Sequence, residues 1–307
     1  MKSQFVDNYF LELPLERSSN WVSHMMAPVL LQHENHLEVF FGGRDISGIS
    51  RIKSLNLDIK TKSFTKSRET EILDIGRPGT FDENGVFPAS ITRIENEVFL
   101  FYTGFQLGHK IPHFNFGGLA KINEPNKGAL RVSQAPFADR QDEGLYVRAG
   151  NTYLNYDGIK YNAYSAGSSF EMIEGKLRPN YDIYLQTVNS IYDFDKAGKK
   201  IISYDPLVEH GLGRPQLLSY KDNLLLLYTI RTRNFPYKMG IAIFDKNKSK
   251  FERCDYLFQD LLGCSEEFSQ MTYFPSAISN NENLILVYNG NDYGRNGLGV
   301  AILDINF

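Results

Sequence analysis

The sequence predicts an all-β fold, a five-bladed β-propeller, and three observations carry that expectation. Aromatic β-formers are abundant, with 18 Tyr and 22 Phe in 307 residues, and 25 Gly and 12 Pro punctuate them. An apolar run ending in an aromatic and a turn recurs as Val39-Phe40-Phe41-Gly42-Gly43, Phe99-Leu100-Phe101-Tyr102-Thr103-Gly104, Tyr153-Leu154-Asn155-Tyr156-Asp157-Gly158, Leu226-Leu227-Tyr228-Thr229 and Leu286-Val287-Tyr288-Asn289-Gly290. Its aromatics fall at 41, 102, 156, 228 and 288, a spacing of roughly 60 residues that suits a radial array and not a sandwich, which has no reason to repeat one turn sequence.

Each unit reads as a first strand opened by a proline anchor, a second strand carrying the aromatic, and a third strand. The anchors are Pro28, Pro88, Pro215 and Pro275, with Arg148 standing at the corresponding place in the third unit. The third strands are expected at Ser50 to Asp58, Gly117 to Ile122, Tyr181 to Val188, Met239 to Asp245 and Leu298 to Asp304; Gly240-Ile241-Ala242-Ile243 and Gly299-Val300-Ala301-Ile302 are near copies. The expected blades span 21–75, 76–124, 125–198, 199–254 and 255–307 within one domain covering 1–307. The last unit ends soon after its third strand, so Gln4 to Leu13 is expected to supply its outer strand and close the ring.

Composition narrows the function. Lys plus Arg number 33 and Asp plus Glu 36, a net charge of -3 with no basic block, which argues against nucleic acid as a partner. No apolar run approaches the roughly 18 residues of a membrane span, and the opening Met1-Lys2-Ser3-Gln4 does not read as a signal peptide, so a cytoplasmic location is expected. Cys254 and Cys264 are too few for a disulfide framework and read as ordinary thiols. No phosphate loop, dinucleotide fingerprint, zinc pattern or serine elbow occurs, so no cofactor or metal is expected.

Several segments resemble a known family. Ser23-His24-Met25-Met26-Ala27-Pro28 with Gly43-Arg44-Asp45 and Ser50-Arg51-Ile52 is similar to the first blade of five-bladed propellers related to glycoside hydrolases: arabinanases, β-xylosidases, invertases and mannoside phosphorylases. The run Gly79-Thr80-Phe81-Asp82-Glu83-Asn84-Gly85-Val86-Phe87-Pro88, followed by Gly117-Gly118-Leu119-Ala120, then Gly213-Arg214-Pro215, and Tyr288 through Gly299, resembles a bacterial subfamily often encoded with surface-polysaccharide genes. Coverage is nearly the whole chain. The resemblance implies carbohydrate chemistry in the propeller channel on a glycoside or polysaccharide precursor. Ser265-Glu266-Glu267-Phe268-Ser269-Gln270-Met271 departs from the Trp-Asp pair and following Glu that the family leads one to expect.

Residues just before the anchors converge at a propeller's centre. Acid/base glycoside hydrolysis needs two carboxyl groups, and Asp82, Glu143, Glu266 and Glu267 are the catalytic candidates. Asp82 is the first choice for base or nucleophile, the alternative being a turn cap; Glu143 would be held ionised by Arg140, or else be an exposed loop carboxylate; Glu266 or Glu267 would be the acid, or else a solvated rim. For substrate binding the sequence offers His24, Arg44, Arg140, Arg214, Arg231, His113, Asn115, Tyr273 and Asn289. Arg44 reads rather as scaffold, Arg214 as a substrate contact within reach of Asp82, Glu143 or a bound anion, and His24 as either a ligand or a core histidine. Tyr102, Tyr156, Tyr228 and Tyr288 recur once per unit and read as core; the unrepeated Trp21, Tyr273 and the Phe105 to Phe116 loop with His109 suit stacking on a sugar. Two rival readings remain open, a non-catalytic carbohydrate-binding propeller and a glycosyl- or phosphoryl-transferring relative.

Overall fold

A computed structural model describes the chain except residues 66–69, 124–127, 195, 235, 262–264 and 281, and Cys264 therefore lies outside the described residues. Strands dominate, and they fall into antiparallel groups. β1 (Lys2–Glu12) leads to a first group of β2 (Ser23–Gln32), β3 (Leu37–Arg44) and β4 (Ser50–Asp58), edged by β5 (Ser63–Phe64) and β6 (Thr70–Leu73). The second holds β7 (Val86–Ile94), β8 (Glu97–Leu107), β9 (His113–Ile122) and β10 (Ala129–Arg131); the third holds β11 (Val147–Tyr156), β12 (Ile159–Ile173), β13 (Lys176–Thr187) and β14 (Lys199–Ile202). The fourth is β15 (Glu209–Tyr220), β16 (Asn223–Thr232), β17 (Lys238–Asp245) and β18 (Lys250–Arg253), and the last is β19 (Tyr273–Ser279), β20 (Leu284–Asn289) and β21 (Gly297–Asn306), with β1 on its edge. β1 pairs antiparallel with β21 from Lys2↔Asn306 to Glu12↔Gly297.

The first strands touch in cyclic order, β2 to β7, β11, β15, β19 and back to β2. Each carries a bulge, where register slips at Met26/Val29, Pro88/Ser90, Ala149/Thr152, Gly213/Gln216 and Tyr273/Ser276. The bulges hold Ala27-Pro28, Arg214-Pro215 and Phe274-Pro275, whose first residues lie at φ 53°, 51° and 52°. In the third group Gly150, at φ 73°, and Asn151 take that place; a Cβ on Gly150 would meet the Arg214 Cα at 3.0 Å. The third unit's anchor is thus Asn151 and not Arg148, because glycine supplies the left-handed turn there without a following proline.

A second correction concerns the same unit. Tyr156 ends β11, and the aromatic of the second strand is Tyr164 on β12. In three groups the tyrosine lies flat across a glycine of the next strand: Tyr102↔Gly118, Tyr228↔Gly240 and Tyr288↔Gly299. A Cβ at those glycines would come within 2.1, 2.2 and 2.4 Å of the ring, which explains the near-copied third strands. The third group pairs Tyr164 with Tyr184, rings stacked at 5.8 Å, so the repeat is written there in other letters. Outer strands β10 and β14 also lie past the boundaries expected at 124 and 198, because they pair with β9 and β13.

The core lies between the faces of neighbouring groups; Leu225, Leu227 and Ile241 of the fourth pack with Leu286, Tyr288 and Leu303 of the last, each such side chain contributing about 2 kcal/mol on burial. Among the described residues no helix is long and apolar enough to cross a membrane.

Candidate functional site

The ring's axis is filled by one side chain. Arg214, 5% exposed, donates from Nε to Pro88 O (3.2 Å), from Nη1 to Phe274 O and Pro275 O (3.0 and 3.5 Å), and from Nη2 to Ala27 O and Pro28 O (3.1 and 2.5 Å). Its acceptors are the bulge carbonyls of three other groups, which would otherwise be buried without partners. The expectation that Arg214 reaches Asp82, Glu143 or a bound anion is therefore corrected: carbonyl oxygens take its donors. Burial pushes its guanidinium down to about 9. The polar stitching continues outward, where Asn289 donates to Met25 O (2.8 Å) and accepts from Ala27 N (2.7 Å), joining the last group to the first. Asn289 is a structural joint and does not line the pocket below.

Asp82 and Glu143 are locked by a device that recurs from group to group. Asp82, 1% exposed, accepts at Oδ2 from Arg131 Nε (2.8 Å) and Tyr102 OH (3.2 Å), with the Arg131 guanidinium 5.9 Å from the tyrosine ring. Glu143 Oε1 accepts from Arg148 Nε (3.2 Å) and Tyr164 OH (3.0 Å), and Arg148 stands 5.0 Å from that ring. Asp255 repeats the pattern with Tyr228 OH (2.6 Å) and Arg253 Nε (2.8 Å). Burial and Asp82 together raise the Tyr102 hydroxyl's pKa above its ordinary value. Neither Asp82 nor Glu143 lines the pocket described below, and Arg148, not Arg140, holds Glu143. Arg140 stacks on Phe114 and Phe116 at 4.4 and 5.3 Å beside a separate depression.

Glu266 and Glu267 sit on an exposed turn of 3-10 helix, Glu266–Phe268, with Glu267 facing Asn296 at 3.3 Å. Phe268 turns inward and packs on Tyr288 at 4.9 Å. Trp21 is buried against Phe41 (4.9 Å), its Nε1 donating to His24 O, and stacks on no open face. Tyr273 is buried behind Tyr293 and Phe274, with ring centroids 5.4 and 4.8 Å away. His109 is exposed, and Cys254 is a buried free thiol.

An open pocket of about 330 Å³ lies at one end of the ring, the end that carries the links from second to third strands. Arg44, His113, Asn115 and Arg231 line it, together with Arg178, Asn84, Phe105 and Tyr293. The three guanidinium groups have no carboxylate partner among the described residues. Arg44 stands over Tyr293 at 5.8 Å; Arg231 lies over Tyr181 and Tyr237 at 5.4 and 5.1 Å. Arg231 Nε and Asn115 Oδ1 are buried with no hydrogen-bond partner. His113 stacks on Phe105 at 4.8 Å, and burial, with Arg231 and Arg178 nearby, pushes its imidazole down to about 4. His24, hydrogen-bonded to Ser23 beside Arg44, and His210 are likewise lowered to about 4, burial first and arginines second; exposed Asp292 offsets this partly at His24. None of the side chains lining the pocket is a carboxylate. A site of this kind suits a planar or tetrahedral oxyanion attached to a ring that can stack. Sequence reasoning missed Arg178, whose only signal was its place in the hairpin Lys176-Leu177-Arg178-Pro179.

The chain has the fold of propeller glycoside hydrolases. A thermostable family-43 glycoside hydrolase superposes with a TM-score of 0.62 at 15% identity, covering 93% of this chain and 91% of that one. The α-L-arabinofuranosidase of Lactobacillus brevis gives 0.66 at 10% identity over 92% and 90%. In sequence the chain is 26% identical over 293 residues to a Mycobacterium tuberculosis (H37Rv) protein described as "Uncharacterized protein Rv1502", covering 92% of this chain and 93% of the other. No protein-family model matches.

Proposed function

We propose that the protein is a single five-bladed propeller, closed by β1 on the last blade, that takes an anionic glycoside, a sugar acid or sugar phosphate, in the pocket at one end of the ring. The observation that carries this reading is the convergence of Arg44, Arg178 and Arg231 on a pocket free of carboxylates, beside the stacked pair Phe105 and His113. An unpaired guanidinium in a half-closed site is costly unless a ligand supplies the counter-charge. Recognition is thus the role the geometry favours. A second reading, hydrolysis of the bound glycoside, draws support from the hydrolases that share the fold, but an acid/base pair would have to come from outside the lining.

Calorimetric titration with glucuronate, glucose 1-phosphate and glucose tests the first reading. The anionic sugars are expected to bind at least tenfold more tightly than glucose, about 1.4 kcal/mol, and Arg178→Gln to remove most of that preference. Equal affinity for glucose, or an unchanged Arg178→Gln protein, would overturn it. Turnover of aryl glucuronides by the wild-type protein would establish the second reading.

A further inference from the structure

The pocket's end of the ring carries an unusual number of aliphatic side chains in water. The most exposed aliphatic residues among those described, Leu15 at 98%, Ile46 at 88% and Leu207 at 84%, lie in links at that end. Leu107 and Met172, each 62% exposed, lie at the same end by strand register: Leu107 opposes His113 and Met172 opposes Leu177, and both His113 and Leu177 line the pocket. These side chains come from separate groups, so no one loop accounts for them. Two are held outward by ordered turns. Asp45 Oδ1 accepts from Ser47 N (2.9 Å) and Ile49 N (3.0 Å) around Ile46, and Asp205 Oδ1 accepts from Leu207 N (3.0 Å).

Single exposed aliphatics are ordinary, but several from separate links at the end that carries a cationic cavity make a two-part surface. Such a surface matches a bilayer bearing anionic lipid, where apolar side chains enter the acyl boundary and arginines meet charged head groups. We infer that this end of the propeller docks on a membrane surface and that the pocket receives the anionic polyol or sugar head group of a lipid. The inference rests on the anionic-glycoside reading and gives that glycoside a lipid anchor. Arg44, Arg178 and Arg231 supply the charge complementarity, and the rim supplies the apolar contact.

Sedimentation of the full chain with vesicles tests it, using phosphatidylcholine alone and phosphatidylcholine containing phosphatidylinositol, whose head group is a cyclitol phosphodiester. The wild-type protein is expected to partition onto the phosphatidylinositol vesicles and much less onto the others. The double variant Ile46→Ser, Leu207→Ser should lower that partition about tenfold or more, while its melting temperature and its glucuronate affinity stay at the wild-type value. Arg178→Gln should erase the preference for phosphatidylinositol. Three results would overturn the inference while leaving the sugar-binding reading standing: glucuronate binding without vesicle binding, vesicle binding that the double serine variant retains, or a vesicle-free dimer that the double variant dissociates, since a second copy would then be what covers the rim. Loss of both glucuronate and vesicle binding in the wild-type protein would sink the two together.

Discussion

A carboxylate buried beside a guanidinium behaves differently from one that faces a ligand, and Asp82 is of the first kind. Its sequence neighbourhood points equally to a channel carboxylate and to a turn cap; what the fold adds is Arg131, 49 residues away and brought to Asp82 only by the pairing of the second group. Removing its charge leaves the Arg131 guanidinium, 15% exposed, without its partner. Asp82→Asn is therefore expected to lower unfolding free energy by about 3 kcal/mol while glucuronate affinity is unchanged, measured by urea denaturation and calorimetry on the same preparation. A stable Asp82→Asn protein that no longer binds the sugar would return Asp82 to the site. The arginines of the pocket were legible to different degrees. Arg44 and Arg231 stand beside repeated motifs, whereas Arg178 lies in a hairpin of the least regular unit.

At the scale of elements, the periodic aromatic-turn motif made second strands readable wherever a tyrosine lies over a glycine, and failed where Tyr184 replaces that glycine. First strands were readable through their prolines and failed where Gly150-Asn151 does the same work. Outer strands are short and carry no motif, so β10 and β14 became visible only through pairing. β1 is the exception, recognisable because the last unit lacked an edge. It gives Phe5 and Phe10 to the cluster between the fourth and last groups and Leu11 to the one between the last and first, and Asn8 accepts from Tyr288 OH at 2.7 Å. Deleting residues 1–13 should abolish cooperative thermal unfolding, because those side chains leave cavities across two interfaces at a cost of several kcal/mol. A truncated chain with an undiminished melting transition, read by circular dichroism, would show β1 to be dispensable.

For the whole molecule, three histidines give stability a pH signature. His24, His113 and His210 are each pushed down to about 4, by burial first and by arginines second, against an unfolded value near 6.5. Between those limits the unfolded chain binds more protons than the folded one, so stability is complete above about pH 6.5 and falls as pH drops toward 4. Denaturant midpoints measured across that window should decline steadily, and His113→Gln should flatten the slope; a flat wild-type profile would show these imidazoles to be freely solvated. The Arg214 plug has a different consequence. A ring stoppered at its centre cannot be threaded, so whatever enters the pocket must leave by the same doorway.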